Sequence, residues 1–193
     1  MSMTRITIID GHPSADRDHF VHALANAYQH GAQELHEVRK IVVAELEFPF
    51  LREPRVWRED TPEDDITSAQ QAIAWADHVV LVYPLWLGDL PALLKAFLEQ
   101  VARPGFAIEA RKGGAWRGLL KQKSARIIVT MGMPAPLYRL FFRAHSVKSL
   151  KRNILGFVGF SPVRTTIIGH VDKGDAYRKR WLARVEQLGR FAR

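Results

Sequence analysis

The sequence predicts a single α/β domain in which helices cover both faces of a parallel β-sheet. Short β-branched or apolar runs alternate along the chain with longer segments of helical periodicity, an order typical of open parallel sheets. The run at 79–83 is apolar at every position, as expected for a strand covered on both faces. No repeat or linker divides 1–193, a length that suits one domain with its own core.

The predicted elements alternate regularly, apart from a charged segment with three prolines at 47–63, which we expect to be a long surface loop. The predicted strands are 5–10, 38–46, 79–83, 125–130 and 165–168. The predicted helices are 18–33, 65–76, 91–102, 137–151 and 176–191. Five strands in this rhythm fit a flavodoxin-like three-layer sandwich whose five-stranded parallel sheet has the order 2-1-3-4-5.

Composition excludes several kinds of site and protein. The sequence has no cysteine, which rules out disulfides, thiol nucleophiles, iron–sulfur clusters and thiolate metal sites. The opening residues MSMTRITIIDGHP are too polar, and lead too quickly into a strand, for a signal peptide. No apolar stretch reaches the roughly 18 residues of a membrane span. We therefore expect a cytoplasmic protein.

Charge is distributed unevenly along the chain. Residues 1–102 contain 8 Lys/Arg and 16 Asp/Glu, whereas residues 103–193 contain 20 and 4, so the two parts carry formal charges of −8 and +16. This asymmetry fits nucleic acid, a membrane surface, a phosphorylated cofactor or an acidic-to-basic dimer contact, and equally a solvated basic surface. Segments 111–126 and 139–152 are basic with aromatic residues nearby, but no nucleic-acid motif accompanies them, and we expect no nucleic acid partner. A peripheral membrane contact stays open.

Three loops should meet where the ligands of such sheets bind, at the carboxyl ends of the strands. They are residues 11–19, 83–90 and 131–138. The first loop leads into a helix, and free backbone N–H groups at a helix N-terminus suit a phosphate. Because neither GxGxxG nor GxxxxGK[ST] is present, an ordinary strand–helix turn remains the simpler interpretation of that loop alone. His19 and His22 are too weak a pair to indicate a metal site, and we predict none.

The second loop carries bulky apolar side chains directly after the buried strand. Trp86 and Leu87 would be costly to expose unless something flat covers them. An isoalloxazine ring is one such cover, whereas the end of the sheet or a subunit contact is another. Composition alone does not separate these two interpretations.

Several motifs together resemble the NAD(P)H:quinone oxidoreductases and related flavodoxin-like reductases. The most specific is the spacing from Pro84 to Pro91, followed by an Ala-x-Leu-Lys helix start, and the match covers nearly the whole chain in the right order. The residues that carry it are His12-Pro13, Phe20, Ala23-Leu24, Tyr83-Pro84-Leu85-Trp86, Pro91-Ala92-Leu93-Leu94-Lys95 and Gly105-Phe106-Ala107.

The resemblance implies a set of flavin-binding positions. The phosphate-binding residues would be His12, Asp18, His19, Phe20 and Val21; the residues lining the isoalloxazine Pro84, Leu85, Trp86 and Leu87; those at its pyrimidine side Thr130, Met131, Gly132 and Met133. Met131 and Met133 stand where relatives have Thr and Gly. Glu99 would lie near the far end of the cofactor. Tyr138 and His145 match the catalytic Tyr and His of the family.

The resemblance also implies an activity. FAD or FMN would be the bound cofactor and NAD(P)H the co-substrate, and a quinone or similar electrophile would take the hydride in a ping-pong reaction. Tyr138 and His145 would donate to the developing anion or to a quinone oxygen. Relatives are usually homodimers with the flavin site at the subunit interface. The alternative function is a flavin-binding regulatory subunit of a membrane transport system whose redox turnover is incidental.

Overall fold

The computed structural model describes residues 3–111 and 113–192. Within them the strands are β1 (Arg5–Asp10), β2 (Glu37–Val42), β3 (His78–Pro84), β4 (Ile108–Ala110), β5 (Trp116–Gly118), β6 (Ser124–Thr130) and β7 (Val163–Ile168). The α-helices are α1 (Phe20–Gln33), α2 (Pro54–Glu59), α3 (Asp64–Trp75), α4 (Ala92–Val101), α5 (Ala135–Leu140), α6 (His145–Ser149), α7 (Gly156–Val158) and α8 (Asp175–Arg190). A 3-10 turn covers Val43–Glu45, and a π-helical turn, Leu150–Leu155, joins α6 to α7.

The main sheet has five parallel strands in the order β2-β1-β3-β6-β7, which confirms the predicted 2-1-3-4-5 arrangement. β1 pairs with β2 on one side and with β3 on the other. The winding direction therefore reverses between β1 and β3, and sheets of this kind bind ligands at the carboxyl ends of the strands beside that point. We call the space there the crevice.

Helices cover both faces of this sheet because its strands are apolar on both. Successive residues of β1 point to opposite faces, so Ile8 and Ile9 belong to different core clusters. On one face the cluster is completed by α1 and α8; on the other by α3, α4 and the segment after β6. The result is the predicted three-layer sandwich.

The packing of α1 against α8 is unusually close at two glycines. A Cβ atom on Gly31 would lie 2.0 Å from the carbonyl oxygen of Glu186, and one on Gly189 would lie 2.1 Å from that of Tyr28. Only glycine permits backbones to approach this closely. The contact fixes the position of α1, and therefore that of its N-terminus at the crevice.

Two stretches differ from the sequence prediction. The predicted second strand ends at Val42, because residues 43–45 turn as a 3-10 helix. The helix predicted over 137–151 is interrupted, because Arg143 and Ala144 adopt left-handed backbone angles (φ 52° and 49°) between α5 and α6.

The segments expected to be loops contain some regular structure. The 47–63 segment includes the short helix α2, which begins with a proline at its first turn. The basic segment before β6 contains the antiparallel hairpin of β4 and β5. Among residues 3–111 and 113–192, no helix combines the length and apolar character needed to cross a bilayer.

Candidate functional site

The three predicted loops do meet at the carboxyl edge of the sheet, and backbone hydrogen bonds hold them there. The Gly11 N–H donates to the Val82 carbonyl at 2.7 Å, which joins the first loop to β3. The Leu85 N–H donates to the Thr130 carbonyl at 2.7 Å, which joins the second loop to β6. The crevice therefore has three walls of defined backbone.

His12 is the central side chain of the first loop. It is buried, and its Nδ1 accepts a hydrogen bond from the Ser14 N–H at 3.1 Å. Burial lowers the pKa of His12, which favours the neutral ring. Nδ1 also lies 3.3 Å from the Ser14 carbonyl oxygen, and a neutral imidazole carries one proton, so His12 offers one hydrogen-bond donor without a full charge.

The N-terminus of α1 lies beside His12. His19, the residue before the helix, stacks on the His12 ring with centroids 3.9 Å apart and makes no side-chain bond to the helix. The N–H groups of Phe20 and Val21 lie in the first turn, where a helix leaves its donors without intrahelical partners. The Val21 side chain is buried in the core, so Val21 would contact an anion through its backbone N–H. These donors and the positive end of the helix dipole suit an anion.

Asp18 does not fit an anion as well as its neighbours do. Its side chain is exposed, and its backbone N–H already donates to the carboxylate of Asp16 at 3.1 Å. A carboxylate here would repel a phosphate. Asp18 stays a prediction, and the donors of α1 fit a phosphate better.

The second loop makes a tight turn that presents two apolar side chains to the outside. Trp86 and Asp89 exchange backbone hydrogen bonds of 2.9 Å around Leu87 and Gly88, which both have positive φ (46° and 83°). The Trp86 side chain is half exposed and the Leu87 side chain is fully exposed. Trp86 meets the His12 ring edge-on at 5.8 Å, so the apolar turn borders the first loop. Neither apolar side chain is covered within the described part of the chain.

We expect Leu87→Asn to stabilise the flavin-free protein by about 1 kcal/mol, because asparagine tolerates the left-handed backbone that costs leucine about that much. Urea unfolding without flavin measures the change. The matched control is Leu140→Asn, also an exposed leucine but in helix α5, where asparagine should bring no gain. An unchanged or lower stability of Leu87→Asn would contradict the assigned strain.

The third loop contributes backbone more than side chains. Thr130 and Met131 are both buried, and Met131 belongs to the core cluster under the sheet edge. Gly132 is exposed, and a Cβ atom there would meet only the Asp172 carboxylate, at 3.5 Å. Met133 is partly buried against the core. The side chains of Met131 and Met133 are therefore at least partly buried, and the backbone at Gly132 between them is exposed.

The two predicted catalytic residues, Tyr138 and His145, differ in their exposure to solvent. The Tyr138 ring is buried, and its hydroxyl forms a 2.7 Å hydrogen bond with the Ser146 hydroxyl, a partner that sequence reasoning missed. His145, the residue before Ser146, is exposed. Their catalytic roles stay predictions, and a role for Tyr138 would require its hydroxyl to exchange this partner.

Glu99 lies apart from the three loops. It forms an ion pair with Lys95, and both line a cavity of about 630 Å³ beside α4. Other described residues around this cavity include Trp57, Leu98, Trp116 and Phe157. None of the described lining residues belongs to the three loops, so Glu99 faces a neighbouring space rather than the crevice.

His22 has a role that the sequence did not reveal. The sequence raised it only as half of an improbable metal pair, and the described residues contain no group of three candidate ligands. In the structure His22 is buried and forms a 2.7 Å hydrogen bond with Asp10, at the end of β1. The twelve-residue separation of the two gives no sequence signal, because only the strand–helix turn brings them together.

The fold agrees with the protein family that this sequence matches. A family model described as the flavodoxin-like fold matches residues 4–189. The chain belongs to this family.

Members and neighbours of the flavodoxin-like family include named oxidoreductases. An uncharacterised NAD(P)H oxidoreductase of Haemophilus influenzae is 32% identical over 109 residues, which are 56% of this chain and 54% of that protein. An FMN-dependent NADH:quinone oxidoreductase of Nitratidesulfovibrio vulgaris is 26% identical over 98% of this chain and 99% of its own. The structure of an NAD(P)H:quinone oxidoreductase from Methanothermobacter marburgensis superposes with a TM-score of 0.84, at 23% identity and with full coverage of both chains.

The extent of these matches differs. The match to the Haemophilus protein spans about half of that protein's length. The match to the Nitratidesulfovibrio protein is nearly end to end. The predicted resemblance to this group of reductases is confirmed.

Proposed function

We propose that this protein is a flavin-dependent NAD(P)H oxidoreductase that passes hydride to a quinone or a similar small electrophile. The observation that carries the proposal is the crevice, where the unpaired N–H groups of α1 and the neutral donor His12 lie beside the uncovered apolar turn at Trp86 and Leu87. Phosphate donors next to an exposed apolar surface match the two ends of a flavin mononucleotide.

We infer that the flavin is FMN rather than FAD. The near full-length relative from Nitratidesulfovibrio vulgaris is named as FMN-dependent. A single phosphate is also what one helix N-terminus and one histidine donor accommodate. NADPH is the preferred nucleotide in this proposal, because the basic half of the chain suits the extra phosphate. NAD(P)H is a cytoplasmic reductant, which agrees with the expected location.

The residues of the crevice would divide the work of binding and orientation. His12 Nε2–H and the N–H groups of Phe20 and Val21 would hold the phosphate, while Trp86 and Leu87 would exclude water from the ring. The bound flavin would supply the redox chemistry by accepting a hydride from NAD(P)H and passing it to the acceptor. The backbone around Gly132 would offer N–H groups to the polar edge of the ring, where negative charge develops.

We also propose a homodimer with the crevice at its interface. Large apolar side chains are exposed on the second loop and on the segment that follows the third loop. A monomer in water seldom exposes such side chains together. They are Trp86, Leu87, Leu140, Phe141 and Phe142, each at least 40% exposed. Burial of these side chains in a subunit contact would leave the flavin between two chains. Sedimentation equilibrium should give twice the chain mass, and a monomer at micromolar concentration would remove this part of the proposal.

The absorbance spectrum tests the function directly. The purified protein is mixed with FMN or FAD, separated from free flavin, and treated anaerobically with NADPH or NADH. We expect the bands of bound FMN to bleach with NADPH and to return when a quinone is added. Bound flavin that neither nucleotide reduces would favour a regulatory subunit, and failure to bind either flavin would refute the site.

A further inference from the structure

The buried pair Asp10–His22 lies directly behind the first loop and joins the end of β1 to the first turn of α1. His22 Nδ1 is 2.7 Å from Asp10 Oδ2, and both side chains are completely buried. The other ring nitrogen, Nε2, is 3.0 Å from the Ser14 carbonyl oxygen. His22 therefore bridges the carboxylate at the strand end and the backbone of the loop.

These contacts define where the protons are. A carbonyl oxygen only accepts hydrogen bonds, so Nε2 must carry a proton. Asp10, as a carboxylate, also only accepts, so Nδ1 carries a second proton. His22 is then an imidazolium held against the carboxylate. Loss of one proton would direct a nitrogen lone pair at the Ser14 carbonyl or at the Asp10 carboxylate, and one of the two hydrogen bonds would be lost.

Three further groups that can carry positive charge surround the pair. Lys40 Nζ, from β2, is 3.5 Å from the same Asp10 oxygen, and the rings of His12 and His19 lie 5.1 Å and 6.0 Å from that of His22. Asp10 Oδ1 is buried and accepts no hydrogen bond within residues 3–111 and 113–192. Contact with His22 and Lys40 is thus what offsets the burial of this carboxylate.

The same Ser14 joins the pair to the donors of the crevice. Its carbonyl accepts from His22 and its N–H donates to His12 Nδ1, so one peptide segment links the buried pair to the orientation of His12. We propose that Asp10–His22 is a positioning pair that holds the first loop in its phosphate-binding conformation. His22 does not itself face the phosphate. This inference rests on the proposed function, since it assigns the phosphate to this loop.

The proposal predicts that loss of the pair weakens binding of the flavin phosphate and leaves binding of the rest of the flavin nearly unchanged. Removal of the His22 bridge should weaken FMN binding about tenfold or more, the size of a lost charge-assisted hydrogen bond, and change riboflavin affinity by less than about threefold.

Four proteins, the wild type and three variants, test it by fluorescence titration with FMN and with riboflavin. His22→Leu removes both hydrogen bonds and should show the full loss of FMN affinity. Asp10→Asn/His22→Gln keeps amide hydrogen-bonding groups at both positions and should lose less FMN affinity than His22→Leu. His30→Gln, on the exposed face of the same helix, is the matched control and should bind both flavins as the wild type does. Equal losses of FMN and riboflavin, or no loss in His22→Leu, would overturn the inference.

Nitrogen NMR of histidine-labelled protein provides a readout that needs no flavin. At neutral pH one histidine, absent from the spectrum of Asp10→Asn/His22→Gln, should have both ring nitrogens protonated. A neutral His22 with one bare nitrogen would overturn the inference even if FMN binds. If the wild type binds neither FMN nor riboflavin, the proposed function fails and the positioning role fails with it. If it binds FMN and His22→Leu binds FMN equally well, only the positioning role fails.

Discussion

Gly31→Val should leave little folded protein, with a loss of at least about 3 kcal/mol in the free energy of unfolding. A Cβ atom at position 31 would lie 2.0 Å from the Glu186 carbonyl oxygen, which is well inside van der Waals contact. The obstacle is the backbone of α8, which cannot rotate away as a side chain can. Overpacking of a core usually costs about 1–3 kcal/mol, and a clash with helix backbone falls at the upper end or beyond.

A graded series makes this expectation measurable. Gly31→Ala should be less harmful than Gly31→Val, because alanine adds only the clashing Cβ and improves helix propensity by about 1 kcal/mol. Gly189→Ala should behave like Gly31→Ala, since its Cβ would lie 2.1 Å from the Tyr28 carbonyl. Gly132→Ala serves as the control for stability, as its new Cβ would make only an ordinary contact. Native-like unfolding of Gly31→Val in urea would refute the close packing of α1 and α8.

The consequence of this packing reaches the functional site. The N-terminus of α1 supplies the phosphate donors, and α8 also contacts that end through Arg178, whose guanidinium lies 5.7 Å from the Phe20 ring. We therefore expect the milder Gly31→Ala protein, where it folds, to bind FMN less tightly than the wild type.

The sheet could be predicted from the sequence because its signal is local. The apolar run of β3 and the β-branched run of β1 each indicate a strand without reference to any other part of the chain. Alternation with helical segments then leaves few topologies for a parallel sheet. The carboxyl edge and its three loops follow from that order, which is why the meeting of the three loops could be predicted from the sequence.

Other features depended on contacts that no local pattern contains. Nothing in the sequence distinguishes Gly31 from a tolerated helical glycine until α8 lies against it. The Tyr138–Ser146 hydrogen bond likewise depends on the left-handed break between α5 and α6. Hydrophobic periodicity continued across that break and therefore predicted one helix. The resemblance to the reductases supplied the candidate residues, and the structure shows where each of them lies relative to the three loops.

Acid should destabilise this protein through His78, which lies at the opposite edge of the sheet from the functional site. His78 is buried at the start of β3, and its Nδ1 shares a 2.7 Å hydrogen bond with the Ser124 hydroxyl. Its Nε2 is buried without a partner among the described residues. Burial, followed by the positive charges of Arg126 and Arg164, lowers the pKa of His78 from 6.5 to about 4.

The direction of the effect follows from this lowered pKa. Well above pH 6.5 the ring is neutral in both states, and its contribution to stability does not change with pH. Below pH 6.5 the unfolded chain binds a proton that the native protein does not, so stability falls until the pH reaches about 4. The expected loss over this window is at most about 3 kcal/mol. Asp77, whose pKa is lowered to about 2 by Arg5, loses its stabilising charge mainly at lower pH.

His78→Asn isolates the contribution of His78 to the pH dependence of stability, because the asparagine amide can still hydrogen-bond Ser124 but does not titrate. Urea unfolding of the wild type and the variant between pH 7 and pH 4 should therefore give curves that converge as the pH falls, with the wild type losing more. His145→Asn, which removes an exposed histidine, should follow the wild type throughout. Parallel curves for wild type and His78→Asn would mean that His78 is not the acid-sensitive group. Since His78 lies far along β3 from the crevice, flavin affinity should not change in step with this loss of stability.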